Sequence, residues 1–265
     1  MLTECFRVLA AVNREFNAWE SVSETSRLAE DNAASALYRP MTYELHYLVS
    51  NALDHLNLVQ SLWNSGKMPP FAPFTLIRAA IESCAYGIWI QKGGTVDARL
   101  IRLLEMQWDQ RRNIDTYTAS AGAHTPSITK WLEEVLNDTK NRRSRLKQRK
   151  INQLPSITDI LIDTDRFVAT KKGLNGLSAW RIGSGVTHGN QQFAKGLMDE
   201  RAITLVDGST GSEHSISTIR FAMVLMPAAN YLSKLMRMIL DKSEAQPGRP
   251  SPEAITGGPL PPNIG

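Results

Sequence analysis

Apolar positions recur at helical spacing over most of this chain. Leu2, Cys5, Leu9, Val12 and Phe16 step by three or four through residues 2 to 19, which predicts an amphipathic helix, and Ser21 to Glu30 reads as its extension. After Arg39-Pro40 a longer helix is predicted to about Trp63, with Leu45, Leu48, Ala52, Leu56, Val59 and Leu62 on one stripe and Asn64-Ser65-Gly66 as its stop. Pro69-Pro70-Phe71-Ala72-Pro73 introduces a third helix to about Gln91. It is apolar nearly all round, the mark of a helix at the centre of a core. A fourth helix follows the turn Lys92-Gly93-Gly94, with Leu100, Leu103, Leu104, Trp108 and Ile114 on one side and Arg99, Arg102, Arg111 and Arg112 expected at the surface. A fifth helix is predicted from Thr125-Pro126-Ser127 and a short one after Leu154-Pro155-Ser156, then another through Trp180 to Asn190. Residues from Phe193 to Val206 carry strand-like pieces, so a small β-hairpin is expected after residue 190. The last helix is predicted from about Ser215 to Leu240, with His214 at its start and Pro227 kinking it. The predicted architecture is all-α: about six to eight helices in one domain over residues 1–242, then a disordered Pro/Gly-rich tail over 243–265.

Composition narrows the setting. A 42% hydrophobic chain of 265 residues can bury a core, and its two cysteines, Cys5 and Cys84, lie far apart within apolar patterns. Neither a disulfide framework nor a cysteine metal site is expected, and a reducing cytoplasm fits. No apolar run is long enough to span a bilayer, since Arg78 and Glu82 interrupt the most apolar one. The net charge of +4 is concentrated. Seven basic residues and no acid fall between 140 and 150, and without them 23 basic residues face 26 acidic ones. Lys140, Arg142, Arg143, Arg145, Lys147, Arg149 and Lys150 therefore form a local patch, either solvated or able to meet RNA or another phosphate-bearing ligand.

The candidate chemistry lies in polar residues on apolar faces. Around Trp180 to Asn190, Arg181, Ser184 and His188 share a narrow arc of one helix face with the preceding Leu177, while Gly183 and Gly185 weaken the helix and call for a close neighbour or a ligand. Gly189-Asn190 also reads as an ordinary helix stop, which would leave His188 as the end of a helix. Arg78 and Glu82, one turn apart in the apolar third helix, must be paired if buried, either as an internal ion pair or as part of a polar pocket. His55 lies on the apolar stripe of the second long helix and is expected to point inward. His46, nine residues away, is half a turn out of phase, so the two histidines cannot share a metal on that helix. No phosphate-binding loop, nucleophile elbow, zinc-protease pair or dinucleotide fingerprint is present in the sequence. No metal and no cofactor is expected.

The combination Asp54-His55-Leu56, Arg78-Ala79-Ala80-Ile81-Glu82 through Trp89-Ile90, then Ser184 and His188-Gly189, resembles a group of uncharacterised bacterial, especially actinobacterial, all-helical proteins over residues 40 to 190. Arg181 and His188 also resemble the Arg-x(4–6)-His spacing of HEPN domains, although Ile182 stands where those ribonucleases usually have a polar residue. The HEPN resemblance implies a helical fold and metal-independent RNA cleavage or a toxin or defence role. It also implies His188 as acid or base, Arg181 on the phosphate, Ser184 positioning it, Arg78, Glu82 and His55 in support, and a site formed between two copies. The alternative is a non-catalytic helical protein that binds a partner or a small anion through the same polar residues.

Overall fold

The computed structural model describes residues 1–35, 39–122, 130, 133–134, 137, 154–168, 173–204, 206–207 and 209–245. Most of the predicted fifth helix, His124, the basic patch at 140–150 and residues 246–265 of the predicted tail lie outside the described residues; of the fifth helix, residues 130, 133–134 and 137 are described and are helical. The elements are α1 (Leu2–Asn17), α2 (Arg27–Ser35), α3 (Met41–Asn64), α4 (Ala72–Gln91), α5 (Val96–Ser120), α6 (Ile157–Asp165), α7 (Gly176–Thr187), α8 (Gln191–Leu197), β1 (Met198–Thr204), β2 (Thr210–Ile216) and α9 (Thr218–Ser243). The fold is all-α with one small hairpin, as the periodicity predicts. Among the described residues no helix is long and apolar enough to cross a membrane.

Three boundaries differ from expectation. Residues 20–26 do not extend α1; Ser26 accepts the Ala29 N–H at 3.1 Å and starts α2 afresh. The segment around Phe193 is helical, and the strands begin at Met198. His214 pairs with Glu200 in the antiparallel ladder, so α9 starts at Thr218. Alternation in β2 is too polar to separate from a helix start by periodicity, and only strand pairing decides it.

The chain divides into two compact units. The first comprises Met1–Trp19, Tyr47–Ile88 and Ile157–Arg237, the second Glu20–His46, Trp89–Ser156 and Met238–Gly265. In the first, Cys5, Leu9 and Val12 of α1 and Phe74, Ile77, Ile81 and Cys84 of α4 are buried with Phe221, Leu225, Tyr231 and Leu235 of α9. Phe221 stacks on Trp63 at 5.6 Å and meets Phe74 edge-on at 6.0 Å. Asn13 and Asn57 exchange amide hydrogen bonds of 2.9 and 3.2 Å, fastening α1 to α3.

The second unit is organised differently, around charge. Arg99, expected at the surface, is buried. Its Nε and Nη2 donate to the two oxygens of Asp31 at 2.7 and 2.8 Å, and Nη1 donates to the Gly93 carbonyl at 2.8 Å. The side chains are 6% and 0% exposed. Gly93 is required for this approach, because a Cβ there would sit 2.7 Å from Arg99 Cγ and 2.9 Å from its backbone nitrogen. Arg102 donates to the Trp89 carbonyl and Lys242 to both the carbonyl and the side-chain oxygen of Gln91. Three cations thus gather at and just beyond the carbonyl end of α4, where the helix dipole is negative and carbonyls lack intrahelical partners.

That gathering carries a pH dependence. Burial first, then Arg99 and Arg27, push the Lys242 ammonium down to about 8, with Asp31 acting in the opposite direction. The folded state therefore releases this proton below the unfolded value of 10.5, the unfolded chain binds more protons between the two, and stability rises with pH across that window. Burial raises the thiols of Cys5, to about 11, and Cys84, so stability associated with them is lost once pH passes their ordinary value of 9.0. Thermal unfolding should show Tm rising from pH 7.5 to about 8.5, where the lysine titrates and most of the thiols of the unfolded chain are still protonated. Lys242→Met should remove the rise; a wild-type profile that is flat or falling over that interval contradicts the assignment.

Candidate functional site

The stretch with the sequence's candidate chemistry is α7, held at three points. Asn175 accepts the Ser178 N–H at 2.9 Å, and the two oxygens of Asp165 accept the Gly176 and Leu177 N–H groups at 2.8 and 3.1 Å. Asp165 also accepts from the Tyr231 hydroxyl at 2.7 Å, which lies 3.1 Å from Thr164 Oγ1. A carboxylate at a helix start satisfies both orphan donors and the dipole. Burial holds the Tyr231 phenol above its usual range. Gly176 is required because a Cβ would come within 2.3 Å of the Tyr231 ring.

The middle of α7 is set by Gly183. A Cβ at this position would lie 2.7 Å from the Phe74 carbonyl oxygen and 2.9 Å from Arg78 Cβ, so the backbone of α7 rests directly on α4. Thr187 and Thr75 join the same two helices through a 3.0 Å hydroxyl contact. Gly185 has a separate reason: the Phe193 ring of α8 occupies the space of its missing side chain. Both interior glycines are thus explained by close approach.

The end is a Schellman motif. Gly189 has φ +72°, its N–H donates to Val186 and the Asn190 N–H donates to Gly185 at 2.9 Å, after which Asn190 caps α8 through Gln192. His188 occupies the C-cap of α7.

These constraints orient the polar residues. Counting about 100° per residue from Gly183, the buried residues Gly176, Ala179 and Val186 fall within about 60° of it, as do Trp180 and Thr187. Arg181, Ser184 and His188 lie about 100° to 160° away. The predicted arc is therefore present but faces outward: Arg181 and His188 are exposed and Ser184 is half-buried. Among the described residues the side chains of Arg181 and His188 form no hydrogen bond or ion pair.

What meets Arg78 and Glu82 is Trp180. Arg78 Nε donates to Glu82 Oε1 at 2.9 Å, and Trp180 Nε1 donates to the same oxygen at 2.6 Å. The Arg78 guanidinium lies 5.3 Å from the Trp180 ring centroid. Both charged side chains are partly exposed, at 25% and 30%, and they close on each other and the indole rather than on His188. His55 is half-buried, and the polar tie between α3 and α4 is made one turn earlier, by Ser83 Oγ donating to Asn51 Oδ1 at 2.7 Å. The sequence reading missed Trp180 and Asn51. Trp180 could have been found, since it precedes Gly183 by three residues and so shares its face. Asn51 carries no comparable signal.

Among the described residues no group of three or more His, Cys, Asp or Glu side chains could hold a metal ion. Both cysteines are free and buried. No protein-family model, curated protein or solved structure was found to match the chain.

Proposed function

We propose that this chain is a HEPN-like helical protein that acts on RNA through the outward arc of α7. His188 serves as general base or acid at a ribose 2′-hydroxyl, Arg181 stabilises the charge that develops on the adjacent phosphate, and Ser184 positions it. The observation that carries this reading is the exposure of Arg181 and His188 on one arc of a helix fixed at its start, middle and end. Rigid placement of acid–base and cationic groups on an accessible face is what phosphodiester chemistry without a metal requires. In this reading Arg78 and Glu82 act from behind, through Trp180, by holding α7 in place, and His55 has no direct role. The basic patch at 140–150 adds sequence-independent attraction to the RNA backbone. A second copy facing the same arc completes the site, as the resemblance implies. Two buried free thiols agree with a reducing cytoplasm.

Ile182 in place of a polar residue after Arg181 favours a second reading, in which the same arc binds a partner or a small anion without catalysis. Incubation with total RNA in EDTA separates the two. Cleavage by the wild type that falls at least about 100-fold in His188→Ala supports the nuclease, because a positioned proton-transfer group contributes about 10²–10⁴-fold. Absence of cleavage, or cleavage indifferent to His188→Ala, rejects it. Retention of RNA that is weakened by Arg181→Ala without any cleavage leaves the non-catalytic reading.

A further inference from the structure

A separate feature of the second unit goes beyond that reading and rests on none of its residues. A guanidinium carries five N–H donors. Three of those on Arg99 are placed, two on Asp31 and one on the Gly93 carbonyl. One N–H on Nη1 and one on Nη2 remain without an acceptor among the described residues, on a side chain that is 6% exposed. Buried donors on a cation are costly to leave unmet. Arg99 forms part of the wall of a cleft of about 370 Å³ whose other lining residues are Arg27, Glu30, Gly94, Thr95 and Val96.

The cleft opens at the start of α5, a helix of 25 residues. Thr95 is its N-cap and uses its hydroxyl on the Ala98 N–H, which leaves the first N–H groups of the helix outside the intrahelical ladder. The positive end of the helix dipole, the two remaining Arg99 donors and the exposed Arg27 guanidinium therefore border one space. We infer that this cleft binds a small oxyanion, a carboxylate or phosphate group, with Arg99 as its buried anchor and Arg27 as its outer clamp. Gly94 contributes open backbone, since a Cβ built there meets nothing within 4 Å. The positive excess is also felt by a neighbour, because Arg99 and Arg27 both disfavour the charged form of Lys242. Glu30 in the lining sets the limit. A single negative charge is accommodated better than two, and an anion that also carries an ammonium group gains a partner there.

The test uses the full chain labelled with ¹⁵N and titrated with sodium phosphate, sodium acetate or glycine at constant ionic strength in chloride. Expected are saturable shifts of the Gly94, Thr95 and Val96 amides at millimolar concentrations of at least one of the three. Arg27→Ala, which alters an exposed side chain, should weaken that binding at least fivefold while leaving the spectrum folded. Response to phosphate alone assigns the phosphate chemistry, to acetate or glycine the carboxylate, and glycine binding more tightly than acetate brings Glu30 in as the ammonium partner. No saturable shift with any of the three, or equal affinity in Arg27→Ala, overturns the proposal.

Discussion

Arg99→Ala should lower the free energy of unfolding by about 3–5 kcal/mol, the range for stripping one partner from a buried ion pair. The loss arises mainly from what remains. Asp31 is 1% exposed and would keep a carboxylate without its two guanidinium hydrogen bonds, while the Gly93 carbonyl would lose the Arg99 donor. Arg99→Lys should recover only part of the loss, because an ammonium cannot span both Asp31 oxygens in the planar fork. Replacing both members, Asp31→Leu with Arg99→Met, should cost less than Arg99→Ala alone, since an apolar pair of similar size carries no desolvation penalty. Urea unfolding measures all three. A loss below about 1 kcal/mol for Arg99→Ala would mean that the pair is solvated in solution, as surface pairs are.

Gly183→Val should destabilise by at least about 1–3 kcal/mol, the usual range for overpacking, and should displace α7. The obstacle is backbone rather than a yielding side chain, because the new Cβ meets the Phe74 carbonyl oxygen at 2.7 Å. Displacement should also break the Trp180 to Glu82 hydrogen bond and the contact between Thr75 and Thr187. Gly196→Ala in α8 is the matched control. Nothing lies within 4 Å of its Cβ position, and removing a helical glycine there should be neutral or stabilising by up to about 1 kcal/mol. Equal Tm changes for the two variants would remove Gly183 as the contact point of α4 and α7.

The two glycines of α7 show how far a sequence can be read. Their presence inside a helical pattern signals close approach, and both are close approaches, yet the partners are different elements: α4 for Gly183 and Phe193 for Gly185. The helix stop at Gly189-Asn190 was legible because a Schellman end depends on local backbone geometry alone. The arc of Arg181, Ser184 and His188 was legible for the same reason, as helical spacing fixes which side chains lie together. Its direction was not. Whether that arc faces α4 or solvent depends on which side of α7 packs, and Gly183 settles that only once Phe74 is beside it.

The charged residues divide along the same line. Arg78 and Glu82 pair as their one-turn spacing predicts, since both partners belong to one helix. Arg99 finds Asp31 across 68 positions of sequence, and Lys242 reaches Gln91 across 151. No local pattern marks such partners, and a surface arginine and a buried, ion-paired one look alike in a periodicity argument. The sequence by itself determined most of the helices, the presence of a small hairpin after residue 190, the stop at Gly189-Asn190 and the residues that share each face, all of which follow from short-range backbone and side-chain geometry. It did not separate the short helix around Phe193 from a strand. Only the tertiary structure decided which face is covered, which cation is buried and where the cleft opens, because those depend on contacts between segments distant in the chain.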